Sequence, residues 1–126
     1  MLFRSVDGVM VSNHGGRQLD GAPATIRVLP DIASAVADRT EVLFDGGIRS
    51  GQDVMKALAL GARGCLIGRA YLYGLAAMGE AGVRKAVDII RQEMDITMML
   101  TGLRDLKTVP REILYDGGDG RAFPRN

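Results

Sequence analysis

Val42-Leu43-Phe44-Asp45-Gly46-Gly47-Ile48-Arg49-Ser50-Gly51-Gln52-Asp53 passes from a short apolar run, through a glycine turn, into the start of a helical pattern. Val42 to Phe44 is continuously apolar rather than alternating, which suggests a strand buried on both faces, as in a parallel sheet covered by helices. Ser50 and Asp53 have the spacing of a capping box, and Val54, Ala57 and Leu58 form one apolar stripe behind it. Gly61 then supplies a helix stop. The stretch reads as strand, loop and capped helix.

The same order recurs on both sides of it. Upstream, Val9 to Ser12 leads through a polar, glycine-rich loop to Leu29, Ile32, Ala33 and Val36 at helical spacing, with Pro30 and Asp31 suited to a first turn. Downstream, Cys65 to Ile67 leads into Gly68-Arg69-Ala70-Tyr71. From Glu80 to about Leu100, Val83, Val87, Ile90, Met94, Thr97 and Met98 predict one long amphipathic helix that closes the fold. Three consecutive βα units predict the α/β class with a parallel sheet, whose outer edges would be exposed. A doubly wound sheet is the alternative, unusually small at three strands. No linker interrupts Val6 to Leu114, so residues 1–126 read as one domain, and the glycine-rich stretch 116–126 reads as a flexible tail.

Composition narrows the function classes. The chain has 126 residues, about half of the roughly 250 that a complete (β/α)8 barrel needs. Hydrophobic content of 47% and charged content of 25% suffice for a packed core. A net charge of +1 gives no broad field for nucleic acid or an anionic membrane, although local basic positions can still bind one phosphate. One cysteine cannot form an internal disulfide; its place in the apolar run Cys65-Leu66-Ile67 predicts core packing in a reducing compartment. No run approaches the ~18 apolar residues of a spanning helix, and the opening Met1 to Ser5 is too short for a secretory core. The chain reads as soluble.

In parallel α/β folds, ligands gather at the carboxyl ends of the strands, so the three strand-to-helix loops are where chemistry belongs. The first holds the one histidine, His14, between small residues, where an imidazole can take and return a proton at neutral pH. Three residues on, Arg17 offers a planar fork that suits a carboxylate. Base and arginine together suit a small hydroxy acid; a turn histidine with a solvated arginine is the plain alternative. In the second loop, Asp45, Gly46, Gly47, Ile48 and Arg49 precede a helix amino terminus, an arrangement that attracts anions. In the third, Gly68 and Arg69 repeat the pattern. Two structural turns would explain each loop separately, but adjacent units with arginines at matching places resemble the phosphate site after the seventh and eighth strands of a barrel.

Ser-Asn-His-Gly-Gly-Arg-Gln-Leu-Asp-Gly at Ser12 to Gly21, Asp-Gly-Gly-Ile-Arg at Asp45 to Arg49, Ala-Leu-Gly-Ala at Ala59 to Ala62 and Gly-Arg at Gly68 and Arg69 resemble the FMN-dependent 2-hydroxy-acid dehydrogenases and oxidases. That family includes L-lactate dehydrogenase, glycolate oxidase and mandelate dehydrogenase. The resemblance covers about Val6 to Leu114 and implies the last three βα units of a TIM barrel, strands six to eight, followed by a closing helix. It implies FMN as cofactor and a small L-2-hydroxy acid as substrate, oxidised to the 2-oxo acid. His14 would be the catalytic base and Arg17 would bind the substrate carboxylate. Ser12 would touch the flavin ring; Asp45, Gly46, Gly47, Ile48, Arg49, Gly68 and Arg69 would hold the ribityl phosphate. No metal is assigned. Intact relatives imply a homo-oligomer in the cytoplasm, in some cases attached to the inner membrane, with an electron acceptor these loops do not specify.

The family pattern has more upstream, including five strands, a tyrosine pair, a second carboxylate-binding arginine, a lysine beside the flavin ring and an aspartate that orients the histidine. Residues 1–5 depart from it. These departures imply a truncated chain with weak or absent turnover alone. Two other readings stay open. One is a non-catalytic or self-associating half-barrel that binds a phosphate-bearing ligand. The other is a barrel of the inosine-monophosphate dehydrogenase kind, which needs a nucleophilic cysteine in a loop, whereas Cys65 lies in a predicted strand.

Overall fold

A computed structural model of the chain describes residues 6–36 and 39–115. The tail expected over 116–126 and the departure expected at 1–5 lie outside the described residues. The elements run β1 (Gly8–Val11), a 3-10 turn (His14–Gly16), α1 (Thr25–Val36), β2 (Glu41–Asp45), α2 (Gly51–Ala59), β3 (Gly64–Leu66), α3 (Arg69–Thr101) and a last 3-10 turn (Arg111–Ile113). The strands pair in parallel in the order β1-β2-β3, with Val11 opposite Phe44 and Phe44 opposite Cys65. Sheet order that follows chain order is what a singly wound barrel uses; a doubly wound sheet would reverse direction at a switch point. The barrel-type reading of the sequence holds, and the doubly wound alternative does not.

Crossovers of one hand, all advancing the same way, put their helices on the same face of a sheet. Accordingly α1 and α2 both pack on the face that carries Val9, Val11, Val42, Phe44 and Cys65, where Leu29 and Phe44 are almost wholly buried. The opposite face is bare. Met10 is 49% exposed and Leu66 is 41% exposed. The expectation of strands covered by helices on both faces is therefore corrected: the apolar runs are continuous, but one side carries no layer among the described residues. In a closed (β/α)8 barrel, that side points toward the barrel axis.

Local signals set most helix ends. Ser50 Oγ accepts from the Asp53 N–H at 3.2 Å, while Asp53 Oδ2 accepts from the Ser50 N–H at 3.0 Å, so the expected capping box forms. Gly61 follows α2 at φ +104°, as a stop glycine should. The start of α1 differs from expectation. The helix begins at Thr25, so Pro30 lies inside it rather than in its first turn. A tertiary bond anchors that end, since the buried Thr25 donates its hydroxyl to the Gly46 carbonyl at 3.3 Å.

The closing helix is longer than expected, and it is bent. α3 begins at Arg69 and breaks at Gly79, whose φ of 60° and ψ of −139° are available only to glycine at little cost. Residues 69–78 and 80–101 therefore form two segments that cross where Gly74 faces Gly82, backbone against backbone. The second segment also meets α2 at a glycine: a Cβ added to Gly51 would lie 2.5 Å from the Ile90 carbonyl oxygen. These two glycine contacts fix where Arg69 sits relative to β2. Among the described residues, no helix is long and apolar enough to cross a membrane.

Candidate functional site

At the carboxyl end of the sheet, the three loops enclose a cleft of about 410 Å3, within the ~300–1,000 Å3 usual for small-molecule sites. All ten residues singled out from the sequence line it: Ser12, His14 and Arg17 from the first loop, Asp45 to Arg49 from the second, Gly68 and Arg69 from the third. The sequence reading missed its apolar wall. Met10, Leu66 and Leu72 come from the bare face of the sheet and the first turn of α3. Strand alternation could have placed Met10 there, because Val9 and Val11 point the other way.

The first loop is the most constrained part. His14 has φ 55°, the one non-glycine residue with positive φ among the described residues, and Gly15 and Gly16 follow at 66° and 74°. Three successive left-handed residues fold the chain back on itself, and for a histidine that conformation is uncommon and points to function. Asn13 holds the turn, with its Oδ1 accepting from the Gly15 N–H at 3.0 Å and its Nδ2 donating to the Pro23 carbonyl at 3.2 Å. Ser12 Oγ accepts from the His14 N–H at 3.2 Å and donates to Asp45 Oδ1 at 2.7 Å. The His14 ring itself makes no hydrogen bond to the described residues.

In the second loop, Gly46 and Gly47 have φ of 104° and 88°. A Cβ on Gly46 would lie 2.6 Å from Thr25 Oγ1, so the loop backbone is pressed against α1; at Gly47 there is open space on the cleft side. The sequence suggested that the amino terminus of α2 is the anion-binding helix end. The structure corrects this. Asp53 Oδ2 takes the N–H groups of Arg49 and Ser50 at 3.1 and 3.0 Å, and Glu93 Oε2 takes that of Gly51 at 2.7 Å. Two carboxylates already occupy that terminus. At the start of α3, by contrast, Gly68 gives no side-chain cap, and both Gly68 and Arg69 line the cleft.

The electrostatics fit an anion. Arg17, Arg49 and Arg69 line the cleft, and none forms an ion pair with a described residue; the Arg63–Glu41 and Arg84–Glu80 pairs lie away from it. Asp45 is the sole carboxylate of the lining, already bonded to Ser12. Arg69 also reaches the first loop, since its guanidinium would lie 3.3 Å from a Cβ on Gly15. Three guanidinium groups, an uncapped helix end and an open glycine turn suit a phosphoryl group at one end and a carboxylate at the other. Cys65 takes no part: it packs against the core from β3, and burial pushes its thiol up to about 11 from 9.0. A thiol held protonated in this way does not serve as a nucleophile.

Known proteins resemble the chain in sequence and in fold. A family model described as FMN-dependent dehydrogenase matches residues 3–116. An L-lactate dehydrogenase of Caulobacter vibrioides is 62% identical over 110 residues, covering 87% of this chain and 29% of the relative. A pre-mycofactocin synthase of Mycolicibacterium smegmatis is 56% identical over 121 residues, covering 94% of this chain and 30% of the relative. A crystal structure of mandelate oxidase with benzoyl-formic acid superposes with a TM-score of 0.80 at 48% identity, over 83% of this chain and 31% of that one. The chain thus spans under a third of the length of the proteins it matches.

Proposed function

The chain belongs to the FMN-dependent dehydrogenase family, and from that membership we propose that its cleft is the phosphate and substrate-carboxylate end of an FMN site that oxidises a small L-2-hydroxy acid to the 2-oxo acid. The observation that carries this reading is the convergence of His14 with three unpaired arginines, Arg17, Arg49 and Arg69, in one cleft. Arg49, Arg69 and the turn at Gly46 and Gly47 would hold the phosphate, and Asp45 would accept hydrogen bonds from the ribityl hydroxyls. Arg17 receives the substrate carboxylate bidentately and fixes the adjacent hydroxyl-bearing carbon near His14. A ring nitrogen of His14 takes a proton from the substrate, leaving Arg17 beside the negative charge that develops. FMN, when bound, supplies the acceptor for the two electrons that leave the substrate.

A second reading is that the same cleft holds a phosphate-bearing ligand without turnover, and the unbonded His14 ring favours it. A base is effective when a partner fixes its tautomer and direction, and no described side chain does this here. One titration and one assay separate the readings. FMN fluorescence should be quenched saturably by the chain, and Arg49→Ala with Arg69→Ala should abolish that quenching; a flat titration with folded wild-type protein sinks both readings. If FMN binds, anaerobic bleaching is then followed with L-lactate, glycolate and mandelate. Slow or absent bleaching supports the binding-only reading, and bleaching lost in His14→Ala supports the enzymatic one.

A further inference from the structure

Ser12 stands between the two functional ends of the cleft. Its hydroxyl has one proton, and the 2.7 Å contact to Asp45 Oδ1 fixes where that proton goes. A lone pair is thereby turned toward the His14 N–H, 3.2 Å away. His14 is in a backbone conformation that non-glycine residues rarely hold, with φ at 55°. The two residues that follow it are glycines, and Asn13 bonds the Gly15 N–H rather than that of His14. The His14 carbonyl accepts from the Arg17 N–H at 3.3 Å, while the Ser12 hydroxyl is the partner of the histidine's own N–H, and Asp45, 33 residues later at the end of β2, fixes that hydroxyl.

We propose that Ser12 and Asp45 act as positioning residues for His14, clamping its left-handed main chain so that a carboxylate of the cofactor cleft fixes where the backbone carries the proposed base. The inference rests on the functional reading above in taking His14 as that base; the clamp itself is a matter of this chain's geometry. Asp45 then has two duties. Whatever donates a hydrogen bond to its carboxylate from the cleft competes with Ser12, so filling the cleft is felt at His14. This couples the phosphate-binding unit to the proton-handling unit through two hydrogen bonds, without any contact between His14 and Arg49.

The test uses the fact that the chain contains a single histidine. Labelling histidine alone with 15N gives an NMR spectrum whose backbone signal is that of His14. In Ser12→Ala, the His14 amide should move upfield and exchange with solvent about tenfold faster, as one lost hydrogen bond requires. Ser12→Thr, which keeps the hydroxyl, should restore both. Asp45→Ala, which removes the acceptor, should move the amide in the same direction as Ser12→Ala while Ser12 is intact. An amide unchanged in Ser12→Ala, or one that stays at its wild-type position in Asp45→Ala, overturns the clamp. Asp45→Ala decides the matter if Ser12→Ala does not fold. FMN quenching, measured on the same samples, reads the functional proposal separately: if wild type fails to bind FMN while the His14 amide responds as described, the clamp stands and the cofactor reading falls.

Discussion

Replacing Gly82 with alanine should be among the most damaging single-methyl additions this chain can suffer. The added Cβ would lie 2.5 Å from the Gly74 carbonyl carbon and closer still to its oxygen, where ordinary contact begins at 3.4 Å. Both neighbours are main chain, so no side chain can rotate out of the way. The segments 69–78 and 80–101 must separate by about 1 Å, against a packed interior that typically charges ~1–3 kcal/mol for overpacking. The absence of a flexible neighbour puts Gly82→Ala at the upper end, about 3 kcal/mol, which in a chain of this size lowers the melting temperature by on the order of 10 °C. Thermal unfolding followed by circular dichroism measures it, with Gly21→Ala as control. A Cβ at Gly21 meets nothing within 4 Å, so that variant should melt within about 2 °C of wild type. Because Arg69 heads the displaced segment, FMN affinity should fall as well. A Gly82→Ala protein that melts with wild type would refute the crossing and the placement of Arg69 that depends on it.

Other outcomes follow from single contacts. Ser50→Ala removes one half of the capping box and should cost about 1 kcal/mol in denaturant titration. Glu93→Ala leaves the Gly51 N–H without its carboxylate and should cost ~1–2 kcal/mol, with Glu93→Gln recovering part of it. Cys65, with its thiol raised to about 11, should be alkylated at pH 8 about a hundredfold more slowly in the folded chain than in urea, because two units separate its thiolate populations. The sign of the linked stability is fixed. The thiol's contribution is whole below pH 9, where both states are protonated, and is lost between about 9 and 11, where the unfolded chain ionises first. Cys65→Ala should flatten that alkaline fall.

The sequence was most informative where structure is local. The capping box at Ser50 and Asp53, the Gly61 stop and the three apolar strands depend on neighbours within a few positions, and all are found. The ten site residues share one cleft because strand ends in a parallel sheet share one side. Long-range contacts were not legible. Pro30 resembled a first-turn proline, but the start of α1 is held by Thr25 on Gly46, a contact 21 residues apart that no local pattern announces. The apolar runs could not say whether a layer lies on each side of the sheet. Nor could the Ser50 cap reveal that Glu93 shares its helix end, whereas Gly68 leaves the start of α3 without a side-chain cap.

That shared helix end bears on the order in which the molecule assembles. Gly51 and Glu93 are 42 residues apart, and a loop of that length closes late, after turns and hairpins nearer in sequence have formed. As the chain leaves the ribosome, the Arg49 loop emerges well before the residue that completes its neighbour, and the first turn of α2 waits, half capped by Asp53 alone. Substitutions at Glu93 should therefore change the rate of unfolding and leave the rate of folding nearly untouched. The start of α2 is thus among the last parts of the described chain to acquire its final shape.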